Sequence, residues 1–455
     1  MKGNNLALMA EKSEYRMVFS LSSPVILSLL VQGLYNLVDS IFLSRLGEDV
    51  LSAVSLAFVF QSLCTSFFSG IATGINALVS RALGAERKDS AQNYVASGFA
   101  IQGLLCIAVM FIGIFGVRFY FSLSTSNVNV ITNGVEYLQP LLCFSIFSCS
   151  QITFERLLQA VGMAKYMFCS QLLGTIINFI LDPILIFGLL GFPKLGVLGA
   201  SIATLIGQAC AAGLAVYFNV LKNKIIFDAF KFKIKKRFIK DICWIGLPTS
   251  SVGIAGAIGN YYMNIVLIDY MSTANAAFGI YTKLQEVALM PTQGFGAGLV
   301  TQLSFFYGRR NMYKIRRSLI AGMVLIEIWS LICFCCFFFL PELLMMPFSP
   351  TEQMLRIGIP CFKIIGTTYI VSGAMIALNS FFQSIGKSIF SIAISVSRQI
   401  LVRIPVAAFL AQFGNINLIW ICWPVSEIAS DAVSLTFFIY AYKKLKKRIA
   451  GEVNE

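Results

Sequence analysis

The chain has 455 residues, 57% of them hydrophobic and only 12% charged, with 40 Phe and a formal net charge of +14. Its mean hydropathy is +0.79, a composition that excludes a water-soluble protein and calls for a polytopic membrane protein. With no His at all, imidazole ligation, a Ser-His or Cys-His couple and an imidazole proton relay are excluded, so proton chemistry near neutral pH falls to carboxylates.

The apolar runs are continuous and do not alternate, so they predict helices and not a barrel. In chain order twelve spans are expected, at about 17–43, 50–79, 92–119, 132–155, 165–190, 195–220, 242–269, 276–305, 316–340, 356–382, 389–412 and 417–441. The first reads as a span and not as a cleaved signal, because polar positions continue in phase to Asp39. Twelve Cys sit in or beside apolar segments, the only CxxC being Cys333 and Cys336, and read as small apolar filling. Gly386-Lys387-Ser388 resembles the end of a phosphate loop, but Phe381 stands where that loop requires Gly. No cofactor is expected.

Lys and Arg cluster between Leu221 and Asp241, in the tail from Lys443 to Arg448, after span eight at Arg309 to Arg317, and after span two at Arg81 to Lys88. The positive-inside rule then places both termini and the central segment on the cytoplasmic side. Anionic lipid accounts for the net charge, so nucleic acid is not an expected partner.

Shifted by 224 positions, the sequence aligns with itself: Pro24 meets Pro248, Gly70 meets Gly294, Gly74 meets Gly298, Gln159 meets Gln383 and Gly162 meets Gly386. Two six-helix lobes entering the membrane in the same direction follow, an all-α parallel repeat. The expected layout is an N-lobe over 1–220, a basic linker over 221–241, a C-lobe over 242–442 and a basic tail over 443–455. GxxxG at Gly70–Gly74 and Gly294–Gly298 predicts close helix packing.

Several segments together resemble the multidrug and toxic compound extrusion (MATE) transporters, in particular their MepA-like bacterial branch. They are Pro24 and Asp39, Gly84-Ala85, Asn178 to Pro183 leading to Gly199 through Thr204, Gly246-Leu247-Pro248, Met290-Pro291, Phe278 to Leu284 and Trp423 to Ile428. The resemblance implies an H⁺- or Na⁺-coupled antiporter of a bacterial cytoplasmic membrane, exporting organic, often cationic or aromatic compounds by alternating access. A monomer without enzymatic activity is expected. An exporter of a lipid-linked or endogenous metabolite on the same fold is the alternative, and a channel or receptor the alternative of another class.

Residue chemistry points the same way. Asn178 and Asp182 lie four apart on one helical face, and Pro183 cannot donate to the carbonyl of Phe179, which leaves a further oxygen beside the carboxylate. Gln32, Tyr35, Asn36 and Asp39 form a polar stripe that would be costly against lipid and is expected to face the lobe interior. By the resemblance, Asp39, Asn178, Asp182 and Thr204 correspond to the family's N-lobe cation site. In the second half, Lys283, Glu286, Arg398, Arg403, Glu427 and Asp431 set three cations against three anions and predict a mutual ion-pair network.

Overall fold

The computed structural model describes residues 5–223, 235–348 and 350–450, and among these it is helical with no strand. The first half supplies α1 (Glu14–Ser44), α2 (Glu48–Gly84), α3 (Lys88–Phe115), α4 (Val128–Cys143 continued by Ile146–Ala160), α5 (Ala164–Phe187) and α6 (Val197–Lys222). The second half supplies α7 (Lys236–Tyr270), α8 (Ser272–Gly308), α9 (Met312–Phe339) and α10 (Glu352–Gly366 continued by Tyr369–Ser384). It closes with α11, which runs through Ser388–Val396, Ser397–Arg403 and Ile404–Ala411, and α12, which runs through Ile416–Trp420 and Cys422–Ile449.

Among the described residues, nine of these segments are long and apolar enough to cross a bilayer, or eleven when the bent pairs α4 and α10 each count as one span. The bends are 51° in α4 and 48° in α10. The remaining expected span lies in α8, a continuous 37-residue helix made more polar by Lys283, Gln285 and Glu286. Most of the expected linker, at 224–234, lies outside the described residues, as do 451–455 of the tail. The basic residues Lys443 to Arg448 continue α12 as helix.

The chain forms two compact units, and their bounds cross two helices: Leu27–Ser250 belongs to one, whereas Ala7–Ile26 joins the chain from Ser251 onward in the other. The crossings, after Ile26 and after Ser250, each fall two residues beyond a helical proline, Pro24 in α1 and Pro248 in α7. Each proline removes an intrahelical hydrogen bond there.

The two GxxxG pairs hold the transferred segments. In the first unit a Cβ on Gly74 would stand 3.0 Å from the Ile242 carbonyl oxygen and 3.2 Å from the Gly246 nitrogen. In the second, a Cβ on Gly298 would stand 3.0 Å from the Ser22 nitrogen, and one on Gly294 would stand 3.0 Å from the Ile26 nitrogen. The close packing expected of both motifs is therefore realised, each against the opening turns of α7 or α1. In the second unit the start of α1 is anchored further by buried Glu14, which meets the Lys314 ammonium at 2.8 Å and the Arg317 guanidinium at 3.5 Å.

Candidate functional site

Small residues set the frame of the polar site in the first unit. α5 and α6 cross with backbones almost touching, because a Cβ on Gly207 would lie 2.7 Å from the Gly174 carbonyl oxygen and 3.1 Å from the Asn178 Cβ. After α5 the left-handed Gly188 (φ 74°) turns the chain, and the Leu195 and Gly196 amides return to the Leu185 and Ile186 carbonyls. Thr204 is thereby brought opposite Asn178.

Asn178 is the hub. Its Nδ2 donates to Asp182 Oδ1 at 3.3 Å and to Thr204 Oγ1 at 3.2 Å. The Thr204 hydroxyl lies 3.4 Å from the Tyr35 hydroxyl of α1, so α1, α5 and α6 share one hydrogen-bonded chain. On α1, one turn further, Asp39 Oδ2 accepts from the Tyr137 hydroxyl of α4 at 3.4 Å. Asp39 and Asp182 are close enough for their carboxylates to repel one another. Asp39, Asn178, Asp182, Thr204 and Tyr137 are all buried.

Three oxygens in this group have no hydrogen-bond partner among the described residues: Asp39 Oδ1, Asn178 Oδ1 and Asp182 Oδ2. Buried acceptors without donors are costly, and here all three are hard oxygens, the donor type that takes a proton or a small cation. No group of three or more His, Cys, Asp or Glu able to hold a metal ion occurs among the described residues. Two carboxyls and an amide suit a monovalent ion or a proton better than a transition metal.

Of the expected polar stripe, Asp39 and Tyr35 enter this site, Asn36 is half-buried, and Gln32 is exposed. The expectation that the whole stripe faces the interior is corrected at Gln32: residues i and i+7 span two turns, and the interior of the unit covers only the later one. Tyr137 was not anticipated. It belongs to no motif, and its only signal is that it shares the buried face of α4 with Gly134, Leu138 and Leu141.

The second-half charges do not form one mutual network. Arg398 Nη1 meets Glu427 Oε1 at 3.1 Å, and this is the only ion pair made within the set among the described residues. Buried Arg403 donates through Nη1 to Gln399 Oε1 at 2.5 Å and through Nε to Ser426 Oγ at 3.4 Å, with its guanidinium 5.1 Å from the centre of the Trp423 ring. Neutral acceptors and a ring face thus take the place of a carboxylate. Lys283 and Glu286 are exposed and form no ion pair among the described residues, and Asp431 keeps a buried Oδ1 without a donor. Lys283 and Glu286 share a face of α8 that is exposed, so neither meets the α11 and α12 charges in an ion pair among the described residues, and Arg398, Gln399 and Arg403 lie together on a π-helical turn of α11 over Ser397–Arg403.

Comparison with known proteins follows the same outline. The model of the MatE family matches residues 24–184 and again 248–409, two stretches that begin 224 positions apart, as the internal repeat does. The chain is 23% identical to the multidrug export protein MepA of Staphylococcus haemolyticus, over 99% of this chain and 98% of that one. It is 22% identical to a FAD transporter of Shewanella oneidensis, over 91% and 92%. Among solved structures, a MOP superfamily transporter from Pyrococcus furiosus superposes with a TM-score of 0.91 at 22% identity, covering 98% of this chain and 100% of that chain.

Proposed function

This chain belongs to the MatE family of membrane transporters, and from that premise we propose that it exports organic compounds in exchange for an inward-moving cation, H⁺ or Na⁺. The observation that carries the reading is the trio of donorless oxygens on Asp39, Asn178 and Asp182, buried in one unit beside Tyr35, Tyr137 and Thr204. Two carboxyls that repel each other when both are ionised bind one positive charge well and release it when the site opens, which is what alternate loading from two sides requires. The coupling ion is a substrate of the cycle, and Asp182, Asp39, Asn178 and Thr204 are the residues that hold it.

By the distribution of Lys and Arg, both termini face the cytoplasm of a bacterial cell and the protein lies in the cytoplasmic membrane. It works as a monomer without a cofactor and without catalysis. Multidrug export is favoured for the cargo by the likeness to MepA. The relative named as a FAD transporter favours a second reading, export of an endogenous aromatic metabolite by the same cycle.

The deciding experiment reconstitutes the purified chain in liposomes and follows ethidium under separately imposed pH and Na⁺ gradients. Gradient-driven movement that stops when Asp182 becomes Asn fits the reading. Movement indifferent to both gradients rejects coupling, and an active pump that moves flavins but never ethidium selects the second cargo.

A further inference from the structure

The first unit buries a third acid that the site above leaves unused. Glu155, in the second segment of α4, is only 6% exposed. Its Oε1 accepts from Gln151 Nε2 at 3.1 Å and from Ser170 Oγ of α5 at 3.0 Å, and Gln151 Nε2 also donates to Gln171 Oε1 at 2.7 Å. All these donors are neutral. The adjacent Arg156 donates to Gln159 Oε1 at 2.8 Å and, without forming an ion pair with Glu155, still acts on it through its charge. The helices around Glu155 carry Arg81, Lys88, Asp89, Lys165 and Lys222, and among the described residues none of them forms an ion pair with it.

Two relationships connect this acid to the candidate site. Ser170, Gly174, Asn178 and Asp182 are spaced by four and are all buried, so a buried stripe that winds by about 120° round α5 leads from the Glu155 partner to Asp182. Twelve residues of helix separate the ends, about 18 Å. The repeat adds the second: at the offset of 224, Asp39, Glu155 and Asp182 correspond to Met263, Asn379 and Val406. The duplicated half thus has no acid at any of the three positions, and an amide, Asn379, stands at the one equivalent to Glu155. A glutamine would serve the Gln151 and Ser170 hydrogen bonds equally well in shape. What a glutamate adds there is the capacity to gain and lose a proton, at the cost that an unpaired carboxylate incurs in a membrane helix.

We infer that Glu155 is a second proton-exchanging carboxyl of the first unit, at the far end of the α5 stripe from Asp182, loaded and emptied in step with it. Each exchange is a simple protonation: the Glu155 carboxylate takes a proton from water at its own end of the stripe and later returns it to water. The inference rests on the coupling reading above.

The test uses the full-length chain. Infrared difference spectra of the purified protein, titrated across neutral pH, read protonated carboxyls directly and need no cargo. Wild type is expected to show one titrating carboxyl band that is absent from Glu155→Gln and a different one that is absent from Asp182→Asn. An unchanged spectrum in Glu155→Gln overturns the inference. In liposomes, Glu155→Gln is expected to slow ethidium efflux driven by a pH gradient at least tenfold while ethidium affinity stays within twofold, and Glu155→Asp is expected to keep at least a third of the wild-type rate. Loss of efflux in Asp182→Asn beside wild-type efflux in Glu155→Gln overturns the inference and leaves the coupling reading standing. Wild-type efflux that ignores both the pH and the Na⁺ gradient defeats the coupling reading instead, and the infrared titration then still decides for Glu155. Should Glu155→Gln fail to fold, Glu155→Asp serves: its carboxyl band must move, and a stationary band overturns the inference.

Discussion

The hydroxyl of Tyr137 donates to Asp39 Oδ2 across 3.4 Å, from α4 to α1. Both groups are buried, and among the described residues this contact is the one donor that Asp39 receives, with no hydrogen-bond partner at its other oxygen. The first unit therefore holds Asp39 by one phenol on Oδ2 and supplies no donor to Oδ1 among the described residues.

Replacing Tyr137 by Phe keeps the ring and removes only that donor. The expected cost to folding is about 1 kcal/mol, within reach of a thermal melt in detergent. Efflux against an imposed gradient should drop several-fold, because Asp39 loses the one side-chain donor that fixes its carboxylate between α4 and α1. Unaltered transport in Tyr137→Phe would remove Asp39 from the coupling role.

Asp182→Asn should leave the fold intact, since Asn178 Nδ2 can still donate to an amide oxygen in the place of Asp182 Oδ1. Gradient-driven efflux should vanish while binding of ethidium to the purified protein survives. A single charge crossing 100 mV is worth about 2.3 kcal/mol, so loss of one coupling ion is enough to abolish concentrative transport. Uphill accumulation by this variant would contradict the assignment.

Glycine positions separate contact from propensity. Gly298→Ala places a Cβ at 3.0 Å from the Ser22 nitrogen and should destabilise by about 1–3 kcal/mol through overpacking. Gly213→Ala in α6 meets nothing within 4 Å and should stabilise by up to about 1 kcal/mol, as alanine favours helix over glycine. Melting temperatures of the two variants moving in the same direction would refute the packing role of Gly298.

The Arg398–Glu427 pair gives a fourth expectation. Glu427→Gln leaves a guanidinium whose side chain is 29% exposed, and that exposure limits the loss to about 1–2 kcal/mol, below the range for a fully buried pair. Adding Arg398→Met should recover most of it. A double variant no more stable than the single one would mean that the pair contributes nothing by itself.

Much of the site was legible because helical spacing is rigid. Asn178 and Asp182 had to share a face, Pro183 marked the freed carbonyl, and a mid-membrane aspartate at 39 had to find cover. Thr204 came from the resemblance alone, and its hydroxyl lies 3.2 Å from Asn178 Nδ2. Tyr137 could not be read, since one tyrosine in an apolar helix is indistinguishable from packing until its neighbours are known. Lys283 and Glu286 illustrate the opposite error: i to i+3 spacing fixes that two side chains share a face, not that the face is inward. Arg403 likewise found Gln399, Ser426 and Trp423 where charge counting offered it a carboxylate. The exchange of the opening turns of α1 and α7 depends on which distant surfaces they meet, and no local pattern encodes that choice, although Pro24 and Pro248 mark where it occurs.

That exchange bears on how such a chain could have arisen. Each half lends the opening of its first helix to the core of the other, with the loans made at equivalent positions of the repeat. The pattern is that of domain swapping, in which two like units trade one element. An isolated half would lack a partner for Gly70 and Gly74, or for Gly294 and Gly298, and only a second copy of itself could supply one.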